Sequence, residues 1–118
     1  MQKLTGDDLL WNWARWCWSG ATVGNMTPYV SWEDDHRPIN TDHAKAVEAM
    51  HASLPHHERM VIIAEYTKKN SLFGDLEPRQ RIDAARRWIR EVTGVNLSET
   101  EYKLYLGLFR SEVERRLA

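Results

Sequence analysis

The groups from which a catalytic or metal site could be built are five histidines, one cysteine and seventeen acidic residues. His36, His43, His51, His56 and His57 lie near Asp34, Asp35 and Glu58 in the chain. None has the His-Glu-x-x-His spacing that sets two imidazoles and a general base on one helical face. His43 and His51 are eight residues apart, too far along a helix to share an ion directly. Surface or capping roles account for these histidines. A lone cysteine excludes an internal disulfide and a multi-cysteine zinc site, and Cys17, in an apolar stretch, reads as a small core residue. There is no glycine-rich phosphate loop, nucleophile elbow or convincing carboxylate pair. The expectation is a protein without enzymatic activity, bound metal or cofactor.

Cationic side chains carry a different chemistry. Arg79, Arg86, Arg87 and Arg90 recur at helical spacing, interrupted by Asp83. Guanidinium forks can grip phosphates bidentately, which lysine cannot do. The plain alternative is a solvated helix face. Further along, Ser98 opens another helical segment on which Thr100, Lys103, Gly107 and Arg110 point away from the apolar stripe. Glycine in mid-helix costs about 1 kcal/mol against alanine, and a bare spot there suits a closely approaching backbone or groove wall. Glu99, Glu101 and Glu114 oppose that picture, since they would repel phosphate. The candidate DNA contacts are therefore Arg79, Arg86, Arg87, Arg90, Ser98, Thr100, Lys103 and Arg110.

Tryptophan is the other unusual resource. Trp11, Trp13, Trp16 and Trp18 fall within eight residues. At helical spacing Leu9, Leu10, Trp13 and Cys17 share a core side, while Asn12, Arg15 and Ser19 mark a polar side. Trp11 and Trp18 border that polar side, where tryptophan serves as an interaction hot spot. The alternative is that the following loop folds over both rings.

The elements that would position these groups are helical, since no segment alternates at the strand period. The first helix spans about residues 7–18, with Thr5 and Asp8 resembling a capping box. A loop from Gly20 to Asn40 holds Gly24, Pro28, Pro38 and the acidic run Glu33-Asp34-Asp35. A second helix begins at Thr41 and ends near Ser53. Pro55 opens a third, reaching about Lys69, whose Met60-Val61-Ile62-Ile63-Ala64 run marks the buried centre. Residues 70–77 form a loop. Pro78 opens the fourth helix, with core stripe Ile82, Ala85, Ile89 and Val92. Thr93-Gly94-Val95-Asn96-Leu97 then leads to a fifth, capped by Ser98 with Glu101 and striped by Tyr102, Leu106, Phe109, Val113 and Leu117. The expected fold is all-α, one compact bundle of about five helices whose residues 78–117 form a helix-turn-helix-like hairpin.

Composition agrees with one soluble domain: 42% of residues are hydrophobic and 28% charged. No apolar run approaches the roughly 20 residues needed to span a bilayer. The first residues lack the pattern of a signal peptide, so a cytoplasmic protein with no membrane partner is expected. The formal net charge of −1 hides a division. Residues 1–77 carry a balance of −4 and residues 78–118 a balance of +3. That modest positive segment can meet phosphate while the rest faces something else.

Taken together, these segments resemble a known family. Leu54-Pro55, then Glu58-Arg59-Met60-Val61-Ile62 and Tyr66, resembles the opening of the sigma-factor domain that reads the −35 promoter element. Ala84-Ala85-Arg86-Arg87-Trp88-Ile89 through Thr93-Gly94-Val95 to Glu112-Val113-Glu114-Arg115-Arg116-Leu117 resembles that domain's helix-turn-helix. Trp13-Ala14-Arg15-Trp16 with Ser19-Gly20 after it is similar to the start of phage antitermination proteins of the Q type, which combine both features. The stretch from Lys68 to Arg81 is longer than the sigma pattern needs. The resemblance implies a phage transcription regulator in the cytoplasm of a bacterial host, binding DNA and RNA polymerase so that polymerase reads through terminators. The acidic half and its tryptophans would face polymerase or a second copy. The competing expectation, from a different class, is a phage-encoded inhibitor that binds a host protein and never touches DNA.

Overall fold

The computed structural model describes residues 4–19, 38–74 and 76–118. The expected loop from Gly20 to Asn40, with its acidic run and His36, therefore lies almost wholly outside the described residues. Those residues form six helices and no strand: α1 (Gly6–Trp18), α2 (Thr41–Ala52), α3 (His56–Glu65), α4 (Lys69–Phe73), α5 (Pro78–Thr93) and α6 (Glu99–Leu117). The all-α bundle expected from the sequence is what the chain adopts.

Local chemistry sets the helix starts. Thr5 Oγ1 accepts from the Asp8 amide, and Asp8 returns the bond to the Thr5 amide. Ser98 and Glu101 do the same for α6. The Asn40 side chain accepts from the His43 amide at the start of α2. Each cap satisfies amides that the helix leaves open, worth about 1 kcal/mol apiece. Gly94 ends α5 with φ +79°, a conformation that favours glycine. Thr93 then ties the turn, donating to the Ile89 carbonyl and accepting from the Val95 amide.

Helix α1 packs against α2 and α6, while α3 packs against α4, α5 and α6. The sequence underestimates how deeply α1 is enclosed. Asn12 and Arg15, expected on a polar side, are buried, as is Trp16. Asn12 is accommodated because its amide exchanges two hydrogen bonds with the Asn40 backbone, 2.9 and 2.8 Å, pinning the start of α2. Trp13 donates to Glu48 at 2.8 Å. At Gly6 a Cβ would collide with the Arg110 carbonyl, so only glycine lets α1 run this close to the α6 backbone.

The remaining departures have geometric causes. The third helix stops at Glu65 instead of reaching Lys69. The backbone bends at Tyr66, whose ring is buried, and resumes as α4, which brings Phe73 edge-on to Trp88 with centroids 6.0 Å apart. Among the described residues six helices stand where five were expected. On α5, Ala85 and Ile89 are buried as expected and Ile82 is half-buried, but Val92, in the last turn, is exposed. On α6 the stripe Tyr102, Leu106, Phe109 and Val113 is buried and Leu117 half-buried.

Candidate nucleic-acid interface

The outward face of α5 carries Arg79, Asp83, Arg86 and Arg90 at spacings of four, three and four, with Arg87 alongside. Burial of Ala85 and Ile89 on the opposite side turns this row to solvent. Arg79, Arg87 and Arg90 are exposed, and Arg87 and Arg90 have no ion-pair partner among the described residues. Arg86 is held differently. Its Nε donates to the Leu97 carbonyl at 2.8 Å, and its Nη1 lies 3.4 Å from the Asp83 carboxylate. That bond ties α5 to the turn entering α6. Arg86, Arg87, Arg90, Asp83 and Asn96 line a shallow depression of about 310 Å³. Its cationic rim and single carboxylate suit an anion with several oxygens, such as a backbone phosphate.

At the start of α6 the arrangement is mixed. The Lys103 ammonium sits 2.9 Å from Glu99, one turn back. Lys103 is the main reason the Glu99 carboxyl titrates below its usual range, with Arg79 and Arg86 adding smaller attraction. These four side chains therefore share one local field. Thr100 is exposed. Ser98 is occupied as the helix cap, its oxygen taken by the Glu101 amide at 3.0 Å. Arg110 stands apart from the rest. Its Nε donates to the Tyr66 hydroxyl at 2.7 Å, and that hydroxyl donates to Asp7 at 2.7 Å, so the guanidinium is engaged where α1 crosses α6. The sequence puts Arg110 on Lys103's face of α6, but the α1 N-terminus reaches only its end of that face.

Trp11 and Trp18 are half-buried and share one cluster. Their rings lie 6.2 Å apart, Trp11 meets Tyr66 edge-on at 4.8 Å, and Lys69 sits 5.5 Å from the Trp11 ring. Trp18 donates to the Thr67 carbonyl at 2.8 Å. Both rings thus brace the bend between α3 and α4 while keeping part of their surface in solvent.

Two features have little sequence signal. Glu65 is buried and accepts from Arg81 through two nitrogens at 3.1 and 3.3 Å, and from the Tyr102 hydroxyl at 2.7 Å. No spacing rule links residues 65, 81 and 102. The second is an apolar face on α6: Leu104 and Leu108 are the most exposed large hydrophobic side chains among the described residues, at 52% and 57%. Their four-residue separation within a helix was legible, and their exposure was not.

Of the groups considered for catalysis, His51 and His57 are engaged in ring contacts. His51 is buried with its ring 4.9 Å from Trp13, and its Nε2–H donates to the Arg59 carbonyl. Burial lowers its pKa, against smaller opposing effects of that bond and of Glu48. His57 meets the Tyr105 ring edge-on at 5.7 Å. Burial, with Glu48 adding to it, pushes the Cys17 thiol up to about 12, so its nucleophilic thiolate is scarce at neutral pH. Among the described residues no three His, Cys, Asp or Glu side chains are grouped to hold a metal ion, and no helix is long and apolar enough to cross a membrane. The chain matches no family model, no curated protein and no solved structure.

Proposed function

We propose that this chain is a phage transcription regulator of the Q-type antitermination kind, binding DNA and the host RNA polymerase. The observation that supports it best is the outward row on α5, where Arg79, Arg87 and Arg90 stand exposed and the last two line a depression with Arg86, Asp83 and Asn96. An unneutralised arginine row costs little in water and becomes favourable when it displaces counterions from a duplex. In this reading α5 crosses the phosphate backbone, as the first helix of a helix-turn-helix does. Thr100, Lys103 and Asn96, beside the α5–α6 turn, are the groups placed to touch base edges. Because Glu101, Leu104 and Leu108 occupy the most outward side of α6, phosphate contacts dominate and sequence readout is slight.

Gel-shift titrations at several salt concentrations test this, using promoter-proximal DNA with and without RNA polymerase. Arg87→Ala and Arg90→Ala should each weaken binding to all sequences about equally and reduce the salt slope by about 0.9 per lost phosphate contact. Arg110→Ala should leave the slope unchanged, since that guanidinium is bound to Tyr66. If the wild type retards no DNA beyond the polymerase control, the reading is wrong. The second reading, an inhibitor that binds a host protein without DNA, is favoured by Leu104 and Leu108, which a groove-reading helix would have no use for.

A further inference from the structure

The depression between the second half of α5 and the turn into α6 is lined by Asp83, Arg86, Arg87, Arg90 and Asn96, without one apolar side chain. A ligand seated there is held by charge and hydrogen bonds alone. Its frame is fixed before any ligand arrives. Thr93 Oγ1 donates to the Ile89 carbonyl at 2.7 Å and accepts from the Val95 amide at 3.1 Å. The Gly94 amide donates to the Arg90 carbonyl, and Arg86 Nε to the Leu97 carbonyl, both at 2.8 Å. Asn96 therefore stands between two residues that are each tied to the rest of the turn. The same bonds occupy the Ile89 and Arg90 carbonyls, which blunts the partly negative end of α5 that would oppose an anion. Little ordering is left for the ligand to impose.

The charges give the ligand its class. Three guanidiniums meet one carboxylate in the lining, a balance of +2. That carboxylate, Asp83, lies 3.4 Å from Arg86 and answers its charge. Arg87 and Arg90 are exposed and have no ion-pair partner among the described residues. Glu91 and Glu99, the nearest other carboxylates in sequence, lie outside the lining, and Glu99 is held by Lys103 at 2.9 Å. A balance of +2 is matched by a dianion. A phosphate monoester carries about two negative charges near neutral pH, whereas each phosphate inside a strand carries one.

We infer that this depression binds a phosphate dianion, the chemistry shared by inorganic phosphate and the terminal phosphate of a nucleic-acid strand. Arg87 and Arg90 grip its oxygens as paired forks, and the Asn96 amide donates to a further oxygen. Arg86 is a positioning residue, holding the turn that carries Asn96. The inference rests on the same arginines as the DNA reading and deepens it, giving the row a ligand besides the interior of a duplex.

The test is a titration of the ¹⁵N-labelled chain at about pH 8, where phosphate is dianionic, with ionic strength held constant by sodium chloride. Inorganic phosphate should shift the Asn96 side-chain amide and the Arg87 and Arg90 Nε signals with a Kd on the order of 1 mM. Sulfate should do the same, and dimethyl phosphate, a diester monoanion, should bind several-fold more weakly. Arg87→Gln and Arg90→Gln should each weaken phosphate about tenfold with an unchanged circular dichroism spectrum, since both side chains are exposed. Arg79→Gln, outside the lining, should leave the affinity unchanged. A trinucleotide with and without a 5′-phosphate separates the sources. Tighter binding of the phosphorylated form than of inorganic phosphate identifies a strand end, and equal affinity identifies free phosphate. No saturable shift, equal affinity for dimethyl phosphate, or undiminished binding in either lining variant would overturn the proposal. The two readings fail separately. Phosphate binding without retardation of DNA removes the DNA reading alone, and retardation without phosphate shifts removes this site alone.

Discussion

Two sets of arginines, one engaged where helices meet and one on the outer face of α5, differ in everything except residue type. Arg81 and Arg110 are tied: the first to a buried Glu65 carboxylate, the second to the Tyr66 hydroxyl beside Asp7. Arg87 and Arg90 have no ion-pair partner among the described residues. Arg86 lies between these extremes, its Nε bound to the Leu97 carbonyl and one guanidinium nitrogen near Asp83. A guanidinium whose hydrogen bonds are consumed inside the fold holds helices together. One whose bonds go to water can exchange that water for a phosphate oxygen. Position in the packing therefore separates structural arginines from binding ones.

The largest expected effect comes from breaking the tied set. Glu65→Ala leaves Arg81 half-enclosed without its anion and Tyr102 without its acceptor. Removing one partner of a buried pair costs on the order of 3–5 kcal/mol. Urea unfolding should show a loss of that order, and a change below about 1 kcal/mol would mean that Glu65 contributes no more than a surface pair does.

A middle-sized effect comes from acid, which reaches the interior and leaves the arginines charged. His51 is held neutral by burial against Trp13 and Phe109, and Glu48 and Arg59 act on its charge in opposite directions. Its pKa in the folded chain thus lies below the ordinary value of 6.5. Above pH 6.5 neither state is protonated and the residue adds no pH dependence. As the pH falls below that value, the unfolded chain takes up a proton that the folded chain refuses, so stability declines until the folded pKa is passed. Unfolding midpoints between pH 7.5 and 5 should fall for the wild type and fall less for His51→Gln. Equal slopes would remove His51 from the account.

The smallest effect sharpens the contrast from the other side. Arg87→Ala and Arg90→Ala should change stability by less than about 0.5 kcal/mol, because each removes only an exposed side chain. A larger loss in urea unfolding would place them with Arg81, as residues that serve the fold.

Much of the fold was legible because its signals are local. Thr5 with Asp8, Ser98 with Glu101 and Gly94 after Thr93 mark helix ends through bonds made within a turn. Tyr102, Leu106, Phe109 and Val113 announce a core stripe by spacing alone. The α3–α4 break was not legible, since it depends on where the Tyr66 and Phe73 rings must go. Of the candidate site, the α5 row was legible from period and residue type. Arg110 was not, because the N-terminus of α1, distant in sequence, claims its guanidinium.

What the sequence alone determined is the helical class, most of the helices with their capped ends, and the core stripe of α6, because these follow from interactions spanning three or four residues. Only the tertiary structure decided which polar groups were consumed. Asn12 turns inward because Asn40 offers it both a donor and an acceptor. Glu65 can be buried because Arg81 and Tyr102 converge on it. Leu104 and Leu108 remain in water because α6 spends its other face on the core. Each of these depends on residues far apart in the chain arriving together, and a bond between such residues leaves no periodic trace.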